Sequence, residues 1–169
     1  MSIISNKCLS EFLYENNDVS SQLDYYISNG SPKPILDLVR TSNKKFGSII
    51  EKLLSNNLDL LLSKKHTFDL ETKNKKIKIE VKSSRYWIRS KTWRWQHIDC
   101  EYDYDYLILC GVGFQELRFF LLSKESLIYN IKCGKIKNQG KQGYWFSFND
   151  LEDQLIELKS VSDFNSIIN

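Results

Sequence analysis

Asp69, Glu80 and Lys82 are the residues whose types and spacing suit hydrolysis of a phosphodiester: two carboxylates and an amine, brought together if residues 66–84 fold as a β-hairpin. In the second arm, residues 77–82, strand side chains alternate with period two. Ile77, Ile79 and Val81 then face one way and Lys78, Glu80 and Lys82 the other. The apolar face is a core face; the polar face is where chemistry would sit. A hard divalent cation such as Mg²⁺ prefers oxygen ligands, commonly one or two carboxylates, and keeps positions for water and phosphate oxygens. Asp69 and Glu80 can supply those carboxylates. Lys82, about 6 to 7 Å along the strand from Glu80, is placed to orient a water nucleophile or to offset phosphate charge.

Two elements must position these groups. A turn of roughly four residues at 73–76 sets Asp69 across from Glu80, whereas a shorter turn shifts the register and brings Glu71 to the site instead; the sequence favours Asp69 and leaves Glu71 open. Upstream, Phe46, Ile49, Ile50, Leu53 and Leu54 form the stripe of an amphipathic helix over residues 44–57. Glu51 lies off that stripe, on the flank of Gly47, Ile50 and Leu54. Glycine inside a helix costs about 1 kcal/mol relative to alanine, so close approach at Gly47 is a reason for its presence.

The order helix, strand with Asp69, Lys- and Asn-rich turn, strand with Glu80-Val81-Lys82 resembles the signature of the PD-(D/E)XK nuclease superfamily. The layout resembles the small type II restriction endonucleases within it. The resemblance is one of motif, covers chiefly residues 44–98, and departs from the pattern at Phe68, where a proline usually precedes the first aspartate. It implies an α/β fold with a central mixed β-sheet flanked by helices, the restriction-endonuclease-like core. It further implies Mg²⁺ held by Asp69, Glu80 and the Val81 carbonyl, with Lys82 assisting the water nucleophile and Glu51 as an accessory acid of the site. The implied activity is sequence-specific cleavage of double-stranded DNA to 5′-phosphate and 3′-hydroxyl ends. Cutting both strands needs two sites, hence a homodimer on a two-fold DNA site, and a DNA methyltransferase acting on the same site would be a companion. A structure-selective nuclease such as a Holliday-junction resolvase and a non-catalytic DNA-binding module are the alternatives.

Charge supports a polyanionic substrate locally rather than globally. The formal charge is only +3, yet residues 73–94 hold nine Lys or Arg against the single acid Glu80, and neutralising phosphates releases counterions. Residues 85–97 interleave Arg85, Arg89, Lys91 and Arg94 with Trp87, Trp93 and Trp95, and end in Gln96 and His97. The cations suit phosphates, and Arg or Gln can read base edges; the alternative for each Trp is a place in the core. Some branches of the resembled family place a catalytic Gln after this strand, which makes Gln96 a lesser candidate. His97 reads as a structural histidine. A second basic, amide-rich segment, Lys137, Asn138, Gln139, Lys141 and Gln142, lies between Gly134 and Gly143 and reads as a groove-entering loop or a plain surface loop.

The rest of the chain frames these segments. At 169 residues and 41% hydrophobic content, one domain is expected over residues 1–169. It divides into an N-terminal helical element (1–43), a catalytic core (44–125) and a recognition loop, strand and C-terminal helix (126–169). Residues 9–29 read as two short helices, the second stopped by Gly30, with Leu23, Tyr25, Tyr26 and Ile27 either packed internally, the default, or at a subunit interface, and residues 31–34 as a turn. Residues 104–112 and 117–122 read as strands, 124–132 as a helix capped by Ser123, and 150–159 as a last helix capped by Asn149. Four cysteines without a Cys-x-x-Cys pair argue against structural zinc. No apolar run is long enough for a bilayer, and the absence of a secretory leader suggests a cytoplasmic or otherwise intracellular protein without membrane attachment.

Overall fold

Ser42 starts the helix that backs the hairpin. In the computed structural model, which describes residues 22–168, its hydroxyl accepts from the Lys45 N–H at 3.4 Å and α3 runs Asn43–Leu58. Phe46, Ile50 and Leu54 bury the face that the sequence periodicity marks, whereas Leu53 stays exposed. Two short helices precede it, α1 (Gln22–Ser28) and α2 (Lys33–Val39). Residues 31–34, expected as a turn, instead launch α2: Pro32 is its N-cap and Pro34 sits in its first turn, where a missing N–H costs nothing. Residues 1–21 of the expected 1–43 helical element, with the first of its two helices, lie outside the described residues. Within it, Tyr25 and Tyr26 are buried in the chain's own core.

The sheet is mixed and mostly antiparallel. Its strands are β1 (Leu61–Leu62), β2 (Leu70–Glu71), β3 (Lys78–Trp87), β4 (Thr92–Ile98), β5 (Tyr106–Val112), β6 (Leu117–Ser123), β7 (Lys137–Asn138), β8 (Tyr144–Ser147) and β9 (Ile156–Glu157). The order is β7-β8-β4-β3-β5-β6-β9, with β1 and β2 attached at the start of β3. β3 and β5 pair in parallel from Ile79↔Tyr106 to Arg85↔Val112, and the other pairs are antiparallel. Three further helices complete the described fold: α4 (Lys124–Lys132), α5 (Phe148–Leu151) and α6 (Val161–Ile168). The fold is α/β, a central mixed sheet flanked by helices, as the sequence suggests. Among the described residues no helix is long and apolar enough to cross a membrane.

Each face of the central strands has its own core. Tyr26, Phe46, Ile50 and Leu54 pack on Ile79, Val81, Ile108 and Cys110. On the other face Trp93, Trp95 and Phe146 pack on Leu107, Leu109 and Phe120. β4 thus delivers two tryptophans to the interior, where Trp93 Nε1 donates to Val112 O at 2.9 Å and Trp95 Nε1 to Cys110 O at 3.0 Å. A Cβ on Gly111 would stand 2.5 Å from Trp93 Cδ2, so the glycine makes room for the indole.

The end of the chain departs from expectation. The helix expected over 150–159 is replaced by α5, a 3₁₀ turn (Glu152–Gln154) and β9. The capping box of α5 is formed by Ser147 and Asp150, so the cap lies two residues before the expected Asn149. The physical reason is non-local: Ile156 and Glu157 pair with Leu121 and Phe120 on the edge of β6, satisfying backbone groups that a helix would have satisfied internally. The helix comes later as α6, entered where Asp163 accepts the Lys159 and Ser160 N–H groups at 2.9 and 2.8 Å.

Candidate active site

The hairpin register decides which acid meets Glu80. Leu70 pairs with Ile79 and Glu71 with Lys78, the Asp69 N–H donates to Ile79 O at 3.0 Å, and the Thr72 N–H donates to Ile77 O at 3.0 Å. The turn therefore spans the four residues 73–76, with Lys75 left-handed at φ 57°. Asp69 stands across from Glu80. Glu71 stands across from Lys78, whose charge it helps to hold.

β3 has an open edge at this point. One edge is paired with β5 from Ile79 to Arg85; the other meets β2 only at Lys78 and Ile79, and β4 only at Tyr86 and Trp87. In the gap, the Val81 N–H donates to the Asp69 carboxylate (Oδ2) at 2.8 Å. Because N–H and C=O of one strand residue point to the same side, the Val81 carbonyl faces this open edge as well. Glu80 is 5% exposed and its Oε1 accepts from Lys82 Nζ at 2.7 Å. The Asp69 carboxylate lies beside it.

Burial and the neighbouring Asp69 push the Glu80 carboxyl up to about 7 even though Lys82 pulls it down. Burial also raises Glu51, with Asp69 adding to the rise and Lys82 opposing it. Glu51, on α3, therefore belongs electrostatically to the same cluster as Asp69, Glu80 and Lys82; its Oε1 leans over Gly47, where a Cβ would lie 3.7 Å away. Two crowded carboxylates and a main-chain carbonyl at an unpaired strand edge are a hard-cation donor set, and a cation there would offset both the burial of the Glu80 charge and its repulsion by Asp69. Among the described residues no three His, Cys, Asp or Glu side chains gather as a fuller ligand group.

A polar cleft of about 430 Å³ opens next to this edge, lined by Asn43, Phe46, Ser83, Arg94 and Gln96 among others. Arg94 and Gln96 point to it because their neighbours Trp93 and Trp95 point into the core. Arg94 lies over Trp87 on one side, at 4.8 Å, and over Trp145 on the other, at 4.4 Å. Lys137 lies over the far indole at 4.7 Å, and Gln139 Oε1 accepts from the His97 N–H at 3.4 Å, which ties the β7–β8 hairpin to the cleft. Lys141 and Gln142 are in the 3₁₀ turn (Gly140–Gln142) of that hairpin, and Asn138 Oδ1 holds the Gly140 N–H. Arg89 and Lys91 are exposed on the β3–β4 turn, apart from the cleft lining.

Arg85 is placed differently. Its guanidinium donates to Val39 O (3.1 Å), Asn43 Oδ1 (2.9 Å) and Thr41 O (2.6 Å) and lies 4.4 Å from the Phe46 ring centroid. It fastens the α2–α3 connection to β3 and has few donors left for a phosphate. The residues that sequence reasoning passed over are Ser83, Asn43 and Trp145 in and around the cleft, and Tyr104, whose buried hydroxyl has no partner and whose titration is raised by burial and then by Glu80. The hydrophobic run around Tyr104 gives no local hint of the last. No protein-family model matches this chain, and no curated protein matches its sequence.

Proposed function

We propose that this protein is a Mg²⁺-dependent endonuclease of the PD-(D/E)XK kind that cleaves double-stranded DNA at a specific sequence. The observation that carries the reading is the meeting of Asp69, Glu80 and Lys82 at the unpaired edge of β3, with the Val81 carbonyl turned the same way. Asp69, Glu80 and that carbonyl would hold the cation. When bound, Mg²⁺ supplies charge stabilisation on the scissile phosphate and acidifies a water. Lys82, released from Glu80, orients the nucleophile and offsets charge that develops on the phosphate. Glu51, whose carboxyl is raised by burial and then by Asp69, would serve as an accessory acid at the rim of the site.

Substrate positioning falls to the cleft beside the site and to the basic hairpin next to it. Arg94 and Gln96 face the cleft, and Lys137, Asn138, Gln139, Lys141 and Gln142 form the projecting β7–β8 unit, with side chains that suit phosphates and base edges. Arg89 and Lys91 would touch the flanking backbone. One site cuts one strand, so a double-strand cut requires two copies related by a two-fold axis, and a methyltransferase for the same sequence would be the companion activity. The test is incubation of the purified protein with a long linear duplex and with a synthetic four-way junction, followed by sequencing of the ends. Discrete duplex fragments sharing one sequence at their ends support the reading; junction cleavage with intact duplex would replace it by a structure-selective nuclease.

A further inference from the structure

Arg94 is the cleft guanidinium whose donors are still open. Its buried Nε–H meets no acceptor, and no ion pair among the described residues includes it. Arg85, the other guanidinium lining the cleft, already donates to Val39 O, Thr41 O and Asn43 Oδ1. Trp87 and Trp145, from the two strands that flank β4, lie 4.8 and 4.4 Å from Arg94. With indoles against its flanks, the guanidinium keeps its N–H edge for a ligand, the edge that takes two adjacent acceptors at once.

The chemistry around that edge favours an anion. Two arginines and no carboxylate line the cleft. Two of its side-chain acceptors are already engaged: Asn43 Oδ1 takes an Arg85 N–H, and Ser84 Oγ takes the Arg94 backbone N–H at 3.1 Å. Phe46 is buried under the Arg85 guanidinium and gives a base no ring to lie on. The Asn43 amide keeps its two N–H donors, Ser83 brings a hydroxyl, and Gln96 adds an amide of either polarity. A phosphate group, negatively charged and all acceptor, matches this set. A base edge that must also donate finds fewer partners.

Position says which phosphate. The cleft begins at Ser83, the residue after Lys82. The contact with Ser84 sets the Arg94 backbone two residues along β3 from Lys82, about 6–7 Å by strand rise. That step is comparable with the separation of successive phosphates on one nucleic-acid strand. α3 walls both places: Phe46 lines the cleft, and Glu51, which interacts with Asp69 and Lys82, has its Oε1 beside Gly47.

We infer that Arg94, with the Ser83 hydroxyl and the Asn43 amide, holds the backbone phosphate next to the scissile one on the strand being cut. This deepens the nuclease reading and rests on it. Arg94 then fixes the strand and adds affinity that does not depend on sequence, because each phosphate neutralised releases counterions.

Duplex affinity is measured in EDTA by fluorescence anisotropy over a range of NaCl concentrations, with one duplex of A·T pairs and one of G·C pairs. Arg94→Gln is expected to weaken both equally and to reduce the steepness of log affinity against log salt by about 0.9, the value for one phosphate contact. Arg94→Lys, which keeps the charge and loses the fork, is expected to restore the steepness. An unchanged steepness in a folded Arg94→Gln, or a loss confined to the G·C duplex, overturns the phosphate contact. The register is read on the cleaved duplex with wild-type protein, by replacing one phosphate at a time with a neutral methylphosphonate. KM is expected to rise about tenfold at one of the two phosphates adjoining the cut, the scale of one charge-assisted hydrogen bond, and Arg94→Gln is expected to show no such rise. A wild type indifferent at both neighbours of the cut overturns the placement. Absence of Mg²⁺-dependent cleavage condemns the nuclease reading, while the salt dependence still scores the contact of Arg94 with phosphate.

Discussion

The Asp69 carboxylate accepts the Val81 N–H at 2.8 Å across the hairpin, taking the place of the strand partner that β3 lacks at that point. One side chain thus does two things: it closes a backbone group that would otherwise be unsatisfied, and it stands beside Glu80 with an oxygen to spare.

The two roles separate by substitution. Asp69→Ala leaves the Val81 N–H without an acceptor and is expected to lose about 1–3 kcal/mol of stability. Asp69→Asn keeps an acceptor and is expected to lose less than about 1 kcal/mol while losing Mg²⁺ binding. Glu71→Gln is expected to keep both. Urea unfolding with calorimetric Mg²⁺ titration distinguishes the three, and loss of Mg²⁺ binding in Glu71→Gln with retention in Asp69→Asn would reverse the assignment.

Glu80 should make the metal-free protein less stable as pH rises. Its carboxyl is raised to about 7, chiefly by burial and then by Asp69, from an ordinary value of 4.5. The folded state therefore holds a proton that the unfolded state has released between these pH values. Its contribution is fully present below 4.5 and lost as pH climbs to 7, on the order of 3 kcal/mol at a little under 1.4 kcal/mol per unit. Glu51, raised in the same direction, adds to the slope. Thermal melts in EDTA should show the loss, and Glu80→Gln should flatten it; an unchanged slope in that variant would contradict the placement of Glu80.

Arg85 is expected to act on stability rather than on DNA. It joins β3 to Val39, Thr41 and Asn43, and hydrogen bonds from a charged donor contribute about 1.5–3 kcal/mol each before compensation. Arg85→Ala should cost about 2–4 kcal/mol in urea unfolding. Residual folded protein should bind duplex within about threefold of wild type, whereas Arg94→Ala should lose about tenfold.

Tyr104 offers the opposite sign. Its hydroxyl is buried beside a carboxylate and lacks a partner, so Tyr104→Phe removes an unsatisfied group and keeps the ring. The variant is expected to be more stable than wild type by up to about 1–2 kcal/mol. A destabilised Tyr104→Phe would mean that the hydroxyl has a partner in solution.

What could be read in the sequence was local or strongly periodic. A four-residue turn at 73–76 favours the Asp69–Glu80 pairing, with the choice against Glu71 made only by the observed register, while the stripe of Phe46, Ile50 and Leu54 marks α3 and the apolar run of β5 marks a strand covered on both faces. Contacts between distant segments were illegible. Nothing near Arg85 says that its donors go to residues around Thr41, and nothing near Ile156 says that the edge of β6 will take it from a helix. For the tryptophans, alternation along β4 separates Trp93 and Trp95 in the core from Arg94 and Gln96 in the cleft. That division becomes visible only once residues 92–98 are known to be a strand.

The proposed role of Asp69, Glu80 and Lys82 is a cation-dependent site for phosphodiester hydrolysis. It is tested most directly by single-turnover cleavage of a long linear duplex in Mg²⁺ and in EDTA, with wild type beside Glu80→Ala and Lys82→Ala, each checked for folding by circular dichroism. Wild type is expected to cleave in Mg²⁺ alone, with a loss of at least about a hundredfold in each variant, the scale for removing one charge-stabilising group. Cleavage that persists in EDTA, or in a folded Lys82→Ala at the wild-type rate, would contradict it.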